Sequence, residues 1–233
     1  MPTIRPINSH IGAQVLDVDL SIRLDEATKS RLNQALLDHL VLVFPKQTLT
    51  PQQYRDALGS FGMPMRQHRE RFNLDECPDV SIVVNRDGFP PAVDWHTDHT
   101  NHERPPKITA LHGVTIPEHG GDTAFANMYL ALEQLPPEER EALSAMYTVN
   151  SMEPHASYSA TDRQRYSTGV RHPMVRRHPE TGRPALYFHV SKSQGIDGMA
   201  HTDVRPYLES LLERTILLEH TYRHRWQPGD VLI

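Results

Sequence analysis

The stretch Val93–Pro106, VDWHTDHTNHERPP, decides how the rest of the chain is interpreted, because His96, Asp98, His99 and His102 fall close together in it. In an extended segment, residues two apart point to the same side, so the His96 imidazole and the Asp98 carboxylate can converge on one cation. His-x-Asp alone is weak evidence: a chain of 233 residues with 15 His and 15 Asp contains roughly one copy by chance. The alternative is a surface loop that is merely rich in polar residues.

A second copy of the motif, His201, Thr202 and Asp203, precedes a run whose leucines recur at helical spacing. Ser, Thr, Asp and Asn commonly cap helix N-termini, so Thr202 or Asp203 is predicted to cap a helix that begins at Val204. We therefore assign a structural role to the second copy and metal binding to the first.

Composition narrows the class of protein. A chain of 233 residues that is 38% hydrophobic is expected to fold around a core as a soluble single domain, residues 1–233. The 24 basic and 29 acidic residues are interspersed, so no nucleic-acid partner is expected. Cys77 is the only cysteine, which excludes an intrachain disulfide framework, and no apolar run approaches the ~20 residues that span a bilayer. These features predict a cytoplasmic protein with no membrane partner; self-association stays open.

Two helices are predicted from their start signals. Asp25 is placed to cap a helix over 26–40, and Thr50 with Pro51 and Gln53 forms the start of a second helix, which Gly62 is placed to end.

Strand patterns dominate the remainder. Alternating apolar residues predict strands over 16–20 and 107–117, and VLVF (41–44) is typical of a buried strand. Two hairpins are predicted, over 174–190 with its turn at Thr181 and Gly182, and over 221–233 with its turn at 228–230. The polar segment 153–169 has no such periodicity and is typical of a lid or a disordered loop. The fold class predicted is mainly β with flanking helices.

Several longer segments resemble one known family. DWHTD is followed by RPPKITALHGVTIPEHGGDTAFANMYLALEQLP, and IGAQVLDVDL, LVLVFPKQTLTPQQ, SFG, VRHPMVRRHPETGRPALYF and YRHRWQPGDVLI occur in the family's order. The chain is therefore similar, nearly end to end, to the taurine dioxygenase and 2,4-dichlorophenoxyacetate dioxygenase family of iron(II)- and 2-oxoglutarate-dependent oxygenases. The resemblance implies a double-stranded β-helix, or jelly roll, flanked by helices. It also implies Fe(II), with 2-oxoglutarate and O2 as cosubstrates.

The resemblance further implies roles for individual residues. His96 and Asp98 match the first two ligands of the 2-His-1-carboxylate facial triad, and Thr123 of GGDT matches the threonine that binds the far carboxylate of 2-oxoglutarate. In the family, a WDNR-like segment, the third ligand (a histidine) and a 2-oxoglutarate-binding arginine follow the GDVLI motif. Both residues are expected beyond Ile233, in a longer protein whose C-terminal part this chain lacks.

The substrate is expected to be a small organic anion, such as a sulfonate, a sulfate ester or an aryloxyalkanoate. Its pocket is predicted to draw on Gln67, His68, His99, Asn101, Tyr187 and His189. A carboxylate at position 98 favours oxygenation over halogenation, because related halogenases have a small residue there. Two other functions stay open: a zinc-dependent hydrolase with His112 or His189 as third ligand, and a non-catalytic jelly-roll binding protein.

Overall fold

The computed structural model describes residues 1–66, 72–83, 94–151, 164 and 169–233. The contacts between residues divide the chain into two compact units. Unit 1 comprises Met1–Ile82, Lys107–Asn127 and Leu218–Ile233; unit 2 comprises Val83–Pro106 and Met128–Leu217. The single domain over residues 1–233 stays a prediction.

The secondary structure consists of short strands and a few helices. The strands are β1 (Thr3–Pro6), β2 (Ala13–Leu16), β3 (Leu42–Phe44), β4 (Asn73–Leu74), β5 (Cys77–Ser81), β6 (Leu111–His112), β7 (Thr123–Ala126), β8 (Tyr147–Asn150), β9 (Val170–Pro173), β10 (Val175–Arg177), β11 (Pro184–Leu186), β12 (Ser193–Ile196), β13 (Thr221–His224) and β14 (Val231–Leu232). The helices are α1 (Glu26–His39), α2 (Pro51–Leu58), α3 (Met128–Glu133), α4 (Pro137–Ser144) and, last in the chain, His201–Thr215, here α5. This is a mainly β fold with helices, as predicted. Within the described segments, no helix combines the length and the apolar character that crossing a membrane requires.

Unit 1 contains a five-stranded sheet in the order β1-β2-β3-β14-β6. The strands β2 and β3 run parallel, whereas β14 lies antiparallel between β3 and β6. Val231 and Leu232 of β14 are buried, as are the three residues of β3 and Val41 before them. The buried strand predicted over 41–44 is thus confirmed over residues 42–44, and β14 lies in the interior of the sheet.

The helices of unit 1 begin where their caps predict. The Asp25 carboxylate accepts a hydrogen bond from the Thr28 amide, and Thr50 and Gln53 form a reciprocal capping box ahead of Pro51. The apolar stripe of α1 packs in one core with β2, β3 and β14. These predictions are confirmed.

The predicted end of α2 at Gly62 is wrong, because the helix stops at Leu58 with Gly59 as its C-cap. Phe61 is only 5% exposed and packs in the core of unit 1. Reaching that core requires a tight turn, in which the Phe61 amide donates to the Leu58 carbonyl. Burial of one aromatic side chain therefore overrides the glycine signal.

The strand predicted over 16–20 is also displaced. It ends at Leu16, because Asp17 adopts a left-handed conformation with φ of 62°. Beyond it, the side-chain amide of Gln47 donates to the Val18 carbonyl and accepts from the Leu20 amide, at 3.0 and 2.9 Å. A single side chain thus satisfies the backbone groups that the predicted strand would have paired.

The hairpin predicted over 221–233 has the right turn but the wrong partners. The Asp230 amide donates to the Gln227 carbonyl, which closes the turn. However, β13 pairs with β7 and β14 pairs with β3 and β6, so the two strands belong to different sheets. Of the strand predicted over 107–117, only β6 (Leu111–His112) is present, because β14, the strand with which it pairs, has only two residues.

Unit 2 has its own sheets and core. The strand β8 lies between β9 and β12, and β10 pairs with β11 in the predicted hairpin, with Gly182 in its turn at φ of 69°. The buried face of α5, with Val204, Leu208 and Leu211 at 0–1% exposure, packs in one core with α3, α4 and the strand β11.

Candidate active site

The segment that carries His96 and Asp98 is anchored in unit 2 by Trp95, whose indole packs against the hydrophobic core. The chain turns over residues 98–101, and His99 adopts the left-handed conformation at φ of 56°. Asp98 therefore begins this turn, and His96 lies between the turn and the anchored Trp95.

Both side chains converge as their spacing predicts. Nε2 of His96 lies 3.7 Å from Oδ1 of Asp98, with the two side chains 35% and 41% exposed. Nδ1 of His96 lies 2.8 Å from the Asp94 carbonyl oxygen. A carbonyl oxygen only accepts, so Nδ1 carries a hydrogen, and in the neutral tautomer of the ring the free lone pair is on Nε2. Metal-binding histidines are usually oriented by an outer hydrogen bond of this kind.

The spacing of the pair suits one divalent cation. With ligand bonds of about 2.1 Å, two donors at a right angle lie about 3.0 Å apart and opposite donors about 4.2 Å apart. The 3.7 Å between His96 and Asp98 falls inside that interval. One nitrogen and one carboxylate oxygen make a donor set that iron(II) accepts.

The second HTD copy cannot chelate an ion in this way. His201, Thr202 and Asp203 form the first turn of α5, whose N-cap is Ala200 without a side-chain hydrogen bond. The prediction that Thr202 or Asp203 caps the helix is therefore wrong, because the helix begins three residues before Val204. Residues two apart on a helix point about 200° apart, so the His201 and Asp203 side chains diverge.

His189 is brought against the first copy of the motif. Leu186, Phe188 and Val190 are buried in the core of unit 2, so the alternation turns His189 to the opposite side. Its ring centroid lies 5.5 Å from that of His96.

The electrostatic surroundings of His189 keep it uncharged. Burial lowers the pKa of His189 to about 3, assisted by the charge of Lys192 and by His96 and opposed by Asp98. At neutral pH its imidazole is therefore a neutral ring.

Asn101 and Lys192 form a second polar contact in unit 2. Asn101 is 2% exposed, and its side-chain oxygen accepts from Nζ of Lys192 at 3.4 Å. Its side-chain amide nitrogen has no hydrogen-bond partner among the residues that the structure describes. The positive charge of Lys192 also acts on His189, because it helps to lower the pKa of that imidazole. Lys192 was not predicted from the sequence, although a basic residue three positions after His189 is a signal that could have drawn attention to it.

Tyr187 and His99 have other neighbours. The Tyr187 ring packs edge-on against His172 and lies under the Arg176 guanidinium, 4.8 Å from its centroid, and burial raises the pKa of its hydroxyl. His99 packs edge-on against His102 with ring centroids 5.3 Å apart. The other predicted pocket residues, Gln67 and His68, lie outside the described residues, as does the segment 153–169 except for two of its positions.

A complete three-ligand site is absent from the part of the chain that the structure describes. No group of three or more His, Cys, Asp or Glu side chains there is arranged to hold a metal ion. The triads that the zinc-hydrolase alternative requires, with His112 or His189 beside His96 and Asp98, are therefore not formed among these residues. The expectation of a third ligand beyond Ile233 stays a prediction.

Thr123 lies in unit 1 at the start of β7. The register of the β7–β13 pair places it directly opposite His224. The indole nitrogen of Trp226 donates to Oγ1 of Thr123 at 3.0 Å. Its hydroxyl is therefore held by a specific donor, which distinguishes it from an ordinary turn threonine.

A buried polar chain lies behind Trp226. Nδ1 of His224 lies 2.6 Å from the Tyr222 hydroxyl, and its Nε2 lies 3.0 Å from Oδ2 of Asp230. Both His224 and Asp230 are about 95% buried, at 5% and 4% exposure. Burial, together with the charge of Asp230, raises the pKa of Tyr222 to about 12. Sequence reasoning missed these contacts: the two-residue spacing of Tyr222 and His224 was not followed up, and no spacing rule links His224 to Asp230 in the following turn.

Comparisons with known proteins agree with the class that this site suggests. A histidine and a carboxylate offered to one cation from a short segment provide two of the three ligands of a 2-His-1-carboxylate oxygenase. The chain belongs to the taurine catabolism dioxygenase TauD, TfdA family, whose sequence model matches residues 3–233.

Three relatives illustrate the membership. An alkylsulfatase from Acinetobacter baylyi is 31% identical over 246 residues, which cover 99% of this chain and 76% of the relative. An alpha-ketoglutarate-dependent sulfate ester dioxygenase from Pseudomonas putida is 32% identical, covering 99% of this chain and 80% of the relative. The crystal structure of a taurine dioxygenase from Burkholderia xenovorans superposes with a TM-score of 0.83 at 33% identity, covering 99% of this chain and 79% of that one.

Proposed function

We propose that the protein is an iron(II)- and 2-oxoglutarate-dependent dioxygenase that oxidises a small organic anion. The observation that carries the proposal is the pair His96 and Asp98, which is spaced for one cation and has its histidine tautomer fixed by the Asp94 carbonyl. Family membership and the sulfate ester dioxygenase among the relatives support the reaction class.

In this proposal each residue has a distinct task. His96 offers its Nε2 lone pair and Asp98 a negatively charged oxygen, and the outer bond to Asp94 keeps the imidazole in that orientation. Iron(II) bound there supplies the oxidising chemistry, in which 2-oxoglutarate and O2 become succinate and CO2 while the substrate gains an oxygen atom. A histidine that completes the triad and an arginine that pairs with 2-oxoglutarate belong to the proposal, as does the jelly-roll form of the β fold.

Thr123 is proposed to donate its hydroxyl hydrogen to the far carboxylate of 2-oxoglutarate. Because Trp226 already occupies an acceptor position on that oxygen, the hydroxyl hydrogen is available for a further acceptor. A carboxylate oxygen is such an acceptor.

The preference for an anion is supported by Lys192. Its ammonium interacts electrostatically with His189, whose ring lies against that of His96. A positive charge at this position favours a sulfate, sulfonate or carboxylate group and disfavours a cationic substrate. Sulfate esters are the first class to test, given the relatives named above.

The test is oxygen- and keto-acid-dependent turnover. The protein is loaded with iron(II) without oxygen, mixed with 2-oxoglutarate and an alkyl sulfate, an alkanesulfonate or an aryloxyalkanoate, and then exposed to O2. Succinate is expected to form with at least one substrate, in step with the oxidised product. Asp98→Ala is expected to abolish turnover, whereas Asp203→Ala, which alters the other HTD copy, is the matched control that keeps it.

The rival functions give different results in the same assay. Release of sulfate with zinc and without any keto acid would identify a hydrolase and overturn the proposal. A binding protein would consume no 2-oxoglutarate under any of these conditions.

A further inference from the structure

The hydroxyl of Thr123 is held in one hydrogen-bonding state by its neighbour. The indole N–H of Trp226 can only donate, so at 3.0 Å it makes Oγ1 of Thr123 an acceptor. A free threonine hydroxyl can rotate and either donate or accept. With Trp226 in place, the hydroxyl hydrogen must point to another partner.

Trp226 itself has two close neighbours. Its ring system is perpendicular to the His224 ring, at an interplanar angle of 89° with centroids 4.7 Å apart. A Cβ atom at Gly113 would come within 2.9 Å of Cε3 of the indole. The indole therefore lies against backbone with no room for a side chain at position 113.

His224, which packs against Trp226, is held in turn by the hydrogen bonds to Tyr222 and Asp230. These bonds fix both ring nitrogens of its imidazole. The same Asp230 carboxylate accepts from the Gln227 amide at 2.9 Å, which ties down the turn that follows Trp226. A carboxylate, an imidazole and an indole thus form a continuous packed support for one hydroxyl group.

We propose that Trp226 is a positioning residue, which directs the Thr123 hydroxyl to donate to the far carboxylate of 2-oxoglutarate. This inference rests on the proposed function, because it assumes that 2-oxoglutarate binds at Thr123. Its specific content is that the indole N–H contributes to cosubstrate affinity through a residue that it touches, without touching the cosubstrate.

The test is a double-mutant cycle on 2-oxoglutarate binding. Affinity is measured by calorimetry without oxygen, on iron(II)-loaded protein with Trp226→Phe, Thr123→Val or both. Trp226→Phe is expected to weaken binding about 2- to 10-fold, the usual range for one neutral hydrogen bond. The double variant is expected to bind no more weakly than Thr123→Val alone, because the indole acts only through the threonine. In turnover assays, Trp226→Phe should raise KM for 2-oxoglutarate and leave KM for the organic substrate unchanged.

A second measurement covers the case in which Trp226→Phe does not fold. Protein labelled with 15N at tryptophan gives a separate indole N–H signal for each tryptophan, Trp95 and Trp226 among them. Thr123→Val should shift the signal of Trp226 and leave that of Trp95 in place.

The outcomes separate this inference from the proposed function. Wild-type protein that binds no 2-oxoglutarate would overturn the proposed function. If the wild-type protein binds 2-oxoglutarate, two results would overturn the positioning role alone. One is that Trp226→Phe binds it equally well, and the other is that the losses of affinity in the double variant are additive. An indole N–H signal of Trp226 that does not shift in Thr123→Val would also overturn the positioning role.

Discussion

The two HTD copies allow a matched pair of substitutions with opposite expected effects. Asp98→Ala removes a carboxylate that lies 3.7 Å from the His96 nitrogen, and Asp203→Ala removes an exposed one from the first turn of α5. Both change the same residue type in the same tripeptide. Only the first should affect metal binding.

The magnitudes follow from the surroundings of each carboxylate. Loss of an outer partner of a metal ligand commonly weakens metal binding 10- to 100-fold. If Asp98 is a ligand, as proposed, its loss should weaken iron(II) binding at least about 100-fold. At an iron(II) concentration 100 times the wild-type Kd, the metal stabilises the native protein by about 2.7 kcal/mol. With a 100-fold weaker site, the same iron(II) stabilises Asp98→Ala by only about 0.4 kcal/mol.

Asp203→Ala should behave differently. An acidic residue in the first helical turn contributes about 0.3–1 kcal/mol through the helix dipole, and Asp203 makes no capping hydrogen bond that would add to this. The variant should therefore lose at most about 1 kcal/mol in the metal-free state and gain as much from iron(II) as the wild-type protein does.

Urea unfolding without oxygen, with and without iron(II), measures both quantities. The expected pattern is a metal-dependent shift in the midpoint for the wild-type protein and Asp203→Ala, and almost none for Asp98→Ala. Equal metal-dependent stabilisation of all three proteins would refute the assignment of Asp98 as a ligand. Loss of that stabilisation in Asp203→Ala would show that the second copy takes part in binding.

Three further substitutions test other features. Thr50→Ala breaks the capping box that Thr50 forms with Gln53 and should destabilise the protein by about 1 kcal/mol in urea unfolding; no change would contradict the contribution of the cap. Gly229 has a left-handed backbone with φ of 85°, and a Cβ atom there would lie 2.9 Å from the Gln47 carbonyl oxygen. Gly229→Ala should therefore lower the free energy of unfolding by more than the ~1–2 kcal/mol that a left-handed backbone costs, measured by urea unfolding. Lys192→Met should raise KM for an anionic substrate by about 10-fold or less, measured as succinate formation, and an unchanged KM would remove the lysine from the substrate site.

Some local signals were read correctly from the sequence, although the predicted cap of α5 and the predicted end of α2 were wrong. The caps at Asp25 and Thr50 depend on a side chain and an amide three residues away, and the structure has both. The convergence of His96 and Asp98, two residues apart, is of the same kind.

The sequence patterns whose outcome depends on strands far away in the chain were interpreted wrongly. The pattern over 221–233 has a turn between two short strand-like segments, which is all that a hairpin requires locally. Whether β13 and β14 pair with each other is decided by the competing edges of β7, β3 and β6, which the pattern does not contain. The structure assigns the two strands to different sheets.

The same reason explains why the support of Thr123 was missed. Sequence resemblance singled out the threonine, but its hydrogen bond to Trp226 joins residues 103 positions apart. That contact follows from the register in which Thr123 faces His224, and the register is fixed only when β7 and β13 pair. Shifting the pairing by one residue would turn the side chains of the strand to its other face and separate the indole from the hydroxyl. Thr123, which is proposed to bind 2-oxoglutarate, and the residues that orient it are therefore specified at different levels: the first by a short motif, and the second by the pairing of two strands that lie far apart in the chain.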